Sequence, residues 1–198
     1  MSRIPAPRLA APTALALALS ALVVLAAACS DGHASRTATP PFKVSATIQE
    51  IMANIIDPAA DETWESVSEE WDKDGHREHK PETDEQWLAV LNHAVALQES
   101  ADLLTIPGRA VAPPGKNLED SGVAGILDAA GVEAAIKIDP EAYAAFIAAY
   151  HEAAHELVVA AQNRDVESLK LGGARLDAVC EACHARFWYP DAQKAPTR

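Results

Sequence analysis

Cys180-Glu181-Ala182-Cys183-His184 lies close to the C-terminus of a chain of 198 residues and reads C-x-x-C-H. That spacing is the attachment signature of a c-type haem. Thiols three positions apart can each form a thioether to one vinyl group of the porphyrin. The histidine beside the second thiol then falls under the iron as its proximal ligand. A redox dithiol and half of a zinc site use the same C-x-x-C spacing. A zinc site wants a second ligand pair, yet the remaining one of the three cysteines is Cys29, next to the N-terminal leader. A thioredoxin-type pair wants strands around it, and none is legible nearby.

Around this motif the apolar residues recur with helical spacing. The helix that carries it begins after Asp165, a cap residue, and ends before Pro190, with Gly172-Gly173 inside it as an expected weak or bent point. Before it, Asp139-Pro140-Glu141 opens another helix with a cap, a first-turn proline and an early acid, running to about Asn163. Tyr143, Phe146, Ile147, Tyr150, Ala154, Leu157, Val158 and Ala161 make its apolar stripe. The short Asn163–Asp165 link makes these two helices neighbours. The first of the two also spells H-E-x-x-H at His151-Glu152-Ala153-Ala154-His155, the helix motif of zinc proteases. Val158 and Ala161 occupy the places where the extended motif wants a glycine and a third histidine, so these histidines read as edge residues of an apolar stripe.

Further from the motif, Thr83-Asp84-Glu85-Gln86 has capping-box form and starts a long helix to about Ile106, closed by Pro107-Gly108. Its stripe is Trp87, Val90, Leu91, Ala94, Ala101 and Leu104. Val44 to Ile56 forms a first helix with Val44, Ile48, Ile51, Met52 and Ile55 on one face, broken by Asp57-Pro58. A further helical segment continues to about Trp71, and residues 72–82 form a charged loop holding His76 and His79. Trp64, Trp71 and Trp87 are expected in the core. Gly108 to Ile138 is too long for a structureless loop, and a short helix is expected over Val123–Ala135. No stretch alternates like a strand. The expected fold is all-α, an antiparallel four-helix bundle over residues 44–190 with covalently attached haem and extra short helices.

The remaining ends read differently. Residues 1–28, with Arg3, Arg8 and an apolar run from Ala14 to Ala28, have the form of an export signal. Leu25-Ala26-Ala27-Ala28-Cys29 resembles a bacterial lipoprotein processing site, with Cys29 as the lipidated residue; ordinary cleavage after Ala28 would leave a free thiol there. Ser30 rather than Asp follows it, which by analogy directs the protein to the outer membrane, on the periplasmic side. Residues 29–43 would tether the domain, and residues 191–198 form a tail. The formal charge of −13 argues against nucleic acid and favours a partner carrying a basic patch.

Four helices with Cys180, Cys183 and His184 in the last, and the aromatic Phe187 three positions on, resemble the cytochrome c-prime superfamily over roughly Val44 to Pro190. Where the family follows that aromatic with Arg or Lys, this chain has Trp188. The resemblance implies one covalent haem c and two alternatives for the sixth iron position. An open position would bind NO or CO. A methionine from the first helix would give a low-spin electron carrier. Met52, in the first helix and on its apolar stripe, stands where that branch places its ligand. The expected function is one-electron transfer without substrate chemistry, with gas binding as the alternative. Family members often pair through helix faces, so a homodimer is a further expectation.

Overall fold

The computed structural model describes residues 43–73 and 75–191. The expected signal sequence, Cys29 and almost all of the tether and tail lie outside the described residues. A division of the chain by internal contacts falls between Lys43 and Val44, and the account below concerns the second unit.

The described residues are mostly helical. In chain order the elements are α1 (Ile48–Ile51), a π-helical turn (Met52–Ile56), α2 (Asp57–Glu65), β1 (Ser68–Asp72), β2 (Gly75–His79), α3 (Asp84–Thr105), α4 (Ala129–Ile138), α5 (Pro140–Asn163) and α6 (Val166–Phe187). The caps explain where the helices begin. Thr47 accepts from the Glu50 amide while the Glu50 carboxylate accepts from the Thr47 amide, at 3.2 and 2.9 Å. Thr83 and Gln86 form the same reciprocal pair at the start of α3. Asp139 caps α5 ahead of Pro140, and Asp165 caps α6. Arg164 takes a left-handed conformation, with φ 54°, and closes α5 just before the Asp165 cap of α6.

Asp57-Pro58 does not break the first helix. α1, the π turn and α2 run on continuously from Ile48 to Glu65. In a regular helix Pro58 would leave the Asn54 carbonyl without a donor and press its ring against it. Here the Asp57 amide donates to the Met52 carbonyl, five residues back, so the ladder has already slipped by one place where the proline arrives. The helical stretch also stops earlier than the sequence suggests, at Glu65 rather than Trp71. β1 and β2 pair as antiparallel strands where a loop was expected, Ser68 opposite His79 and Asp72 opposite Gly75. Both strands are solvated, so neither shows the alternation of a half-buried strand; Gly75, the first residue of β2, takes φ 127°, a conformation that favours glycine. Trp71 is 76% exposed and stacks on His76 at 4.1 Å, outside the core. Lys170 of α6 pins the hairpin through Glu69 and Glu78, at 2.7 and 3.0 Å.

α3 packs on α5 and on α2, α5 packs on α6, and α2 touches α6, so each of the four long helical segments meets two others. Ile51, Leu97, Leu157, Leu169 and Leu176 are fully enclosed between them. Gly172 and Gly173 neither end nor interrupt α6; they let neighbours in. A Cβ on Gly172 would lie 2.9 Å from Leu157 Cδ2, and one on Gly173 would lie 3.1 Å from Trp64 Cδ1. Trp64 Nε1 donates to the Gly173 carbonyl at 3.1 Å.

The stretch after Gly108 has a structural role that composition did not disclose. Ala110 and Val111 carbonyls accept from the Ile48 and Gln49 amides, both at 2.9 Å, filling the open donors at the start of α1. Arg109 donates to the carbonyls of Leu103 and Ala46. The helix in this stretch is Ala129–Ile138 rather than Val123–Ala135, and it begins where the Asp128 side chain accepts from the Gly131 amide.

Candidate haem-binding cavity

Helical geometry sets Cys180, Cys183, His184 and Phe187 on one face of α6, since residues three and four apart are neighbours on a helix surface. That face meets an apolar cavity of about 450 Å³. Met52 lines the same cavity from the opposite side of the sequence, at the first residue of the π turn. Trp64 from α2 and Tyr143 and Tyr150 from α5 line it too, and Val111 and Leu118 of the long connection wall it. The size suits a cofactor or drug-sized ligand.

The electrostatics are those of a half-buried, largely apolar site. Burial pushes the Cys180 thiol up to about 11, with the Asp177 carboxylate adding to the effect. Burial likewise raises Cys183 to about 12, reinforced by Cys180. Both sulfurs are free and protonated at neutral pH, the reverse of the depressed thiols of dithiol redox catalysts. Burial pulls His184 below its ordinary value, partly opposed by Glu181, which leaves a neutral imidazole able to donate a lone pair to a metal.

Aromatic groups fix this face. Phe187 is buried, edge-on to Tyr143 at 5.5 Å and to Phe146 at 6.0 Å. Trp188 stands perpendicular to the His184 ring at 5.3 Å. Its backbone amide donates to the His184 carbonyl, and its carbonyl accepts from Leu127, both at 2.8 Å. The Tyr189 hydroxyl donates to the Glu181 carboxylate, so the residue that follows Cys180 is held from the end of the helix. Deeper in the wall, Ser100 donates to the Leu97 carbonyl, which leaves its oxygen to accept from the Tyr150 hydroxyl at 2.8 Å.

The residues fit a covalently held haem on three counts. Two protonated thiols and a neutral imidazole share a face, that face opens on an apolar space, and the Trp188 indole nitrogen is buried with no hydrogen-bond partner among the described residues. Haem iron needs one or two protein ligands, since the porphyrin supplies the rest. Among the described residues no group of three or more His, Cys, Asp and Glu side chains is placed to hold a bare metal ion. His151 and His155 lie apart from the cavity. His151 is half-buried near Gln98 at 3.4 Å, and His155 is exposed. His76 and His79 lie on the hairpin.

No family model, curated protein or solved structure matches this chain. No described helix is long and apolar enough to cross a membrane.

Proposed function

We propose that the chain is an exported, monohaem c-type cytochrome of the cytochrome c-prime kind, acting as a one-electron carrier. The observation that carries this reading is the meeting of Cys180, Cys183 and His184 with Met52 around one apolar cavity. The ring of contacts α2–α3–α5–α6 supports the antiparallel four-helix bundle that such a cytochrome uses.

In this reading Cys180 and Cys183 would hold the haem through thioethers, with their place on rigid α6 fixing its orientation, and His184 and Met52 would ligate its iron. Bound haem supplies a single metal centre that cycles by one electron. The chain's part is to hold two neutral ligands, an imidazole and a thioether, in place, exclude water, and set the potential through burial and charge. The π turn places Met52 at the point where the helical ladder widens. Such turns recur at functional sites. Asp57, Glu119, Asp177 and Glu181 are exposed and border the cavity, which suits docking of a partner with a basic patch. The export signal and lipidated Cys29 would place the carrier on the periplasmic side of a bacterial envelope, at the outer membrane.

The test is covalent attachment. The full chain, produced in a bacterial host with haem-maturation machinery, is expected to carry one haem that survives denaturation and acid-acetone extraction. Cys180→Ser with Cys183→Ser should abolish it. A chain that gains no covalent haem would overturn the reading.

A further inference from the structure

We infer that Trp188 is a hydrogen-bond donor to a carboxylate of the bound group, a haem propionate, and so is a positioning residue of the site; this rests on the haem reading above. Trp188 lines the cavity, and its Nε1 is enclosed without a partner among the described residues. A buried N–H left unpaired is costly and rare in folded proteins, so each one calls for an acceptor. Every other polar tie of Trp188 is already used. Its amide is bonded to His184 and its carbonyl to Leu127. The ring itself is held against His184 and Tyr189, at 5.3 and 5.6 Å between centroids, so the indole nitrogen is fixed in place. The other buried donors of this wall differ. Trp64 Nε1 is satisfied by Gly173, and Tyr143 by the Leu104 carbonyl at 3.3 Å. The unpaired indole is therefore a donor waiting for a ligand acceptor. Of the groups a haem carries, the propionates are the acceptors.

A propionate that accepts this bond carries less effective negative charge, so it disfavours the reduced iron less than an unbonded carboxylate would. Loss of the donor should lower the reduction potential. The experiment uses the full chain with haem attached, as wild type and as Trp188→Phe, which keeps an aromatic ring and removes the N–H. Resonance Raman spectra of the ferrous proteins are expected to show a propionate bending band that shifts between H₂O and D₂O in the wild type and loses that sensitivity in the variant. The variant's reduction potential should fall. Identical propionate bands and an unchanged potential would overturn the assignment while leaving the haem reading intact. If the variant binds no haem, ¹⁵N NMR of the wild-type ferrous protein decides. The Trp188 indole proton is expected to show an Overhauser contact to the methylene protons of a haem propionate. Absence of that contact would overturn the inference. A wild-type chain without covalent haem would overturn both readings.

Discussion

Gly172 carries two opposed effects, and magnitudes decide between them. In a helix interior, alanine is favoured over glycine by about 1 kcal/mol. Against that, a methyl at Gly172 meets the fully buried Leu157 at 2.9 Å, and overpacking of this kind costs about 1–3 kcal/mol. Gly172→Ala should therefore be neutral to about 2 kcal/mol destabilising, read from urea unfolding. A gain of stability would show that Leu157 has room to move. Ser100→Ala removes the acceptor of the buried Tyr150 hydroxyl and should cost about 1–3 kcal/mol in the same assay. At this scale the sequence was informative about chemistry and less so about packing. The C-x-x-C-H spacing foretold that Cys180, Cys183 and His184 share one helix face, and all three line the same cavity. The glycine pair looked like a flaw in α6, because a sequence does not show that Leu157 and Trp64 fill the space the glycines leave. Trp188 was legible as a departure from the family pattern, but its unpaired nitrogen depends on what surrounds it.

The first helical stretch shows what limits a reading of elements. Long periodic helices with strong caps were legible almost to the residue: α3 after Thr83, α5 after Asp139 and α6 after Asp165. Asp57-Pro58 was not, since a proline ends a regular helix but is tolerated where a π turn has already shifted the hydrogen-bond ladder. The hairpin escaped for a different reason. Its residues face solvent on both sides, so no hydrophobic period marks it, and it is held by ion pairs rather than burial. Lys170 joins it to α6 through Glu69 and Glu78, and Lys170→Ala should release it. Hydrogen exchange of the residue 68–79 amides is expected to accelerate while the melting temperature barely changes, as for other solvated ion pairs. Unchanged protection would mean that the strand ladder holds the hairpin unaided.

The whole molecule is acidic and its paired carboxylates set its response to pH. Thr47 holds Glu50, Lys170 holds Glu69, Lys80 and then Lys170 hold Glu78, Arg186 holds Asp139, and the Ser168 amide holds Asp165, each below its ordinary value. A carboxyl group with a depressed folded-state value contributes its stability above the unfolded-state value and loses it as pH falls through the folded-state value. Melting temperature should thus decline as pH drops below the ordinary carboxylate range, about pH 4. A rise in that interval would indicate that relief of negative self-repulsion dominates. The same charge makes encounter with a basic redox protein salt-dependent, so electron transfer to one should slow as ionic strength increases. The central claim concerns the cavity where α6 and the first helix meet, and optical spectra of the haem-bearing chain test it most directly. They are recorded in ferric and ferrous states, with and without CO, for wild type and Met52→Ala. The account predicts a low-spin wild type with a methionine–iron charge-transfer band that the variant lacks, and CO uptake that is rapid only in the variant. A high-spin ferrous wild type that takes up CO at once, with Met52→Ala indistinguishable from it, would contradict Met52 as the distal ligand and make the protein a gas-binding haem protein with an open sixth position.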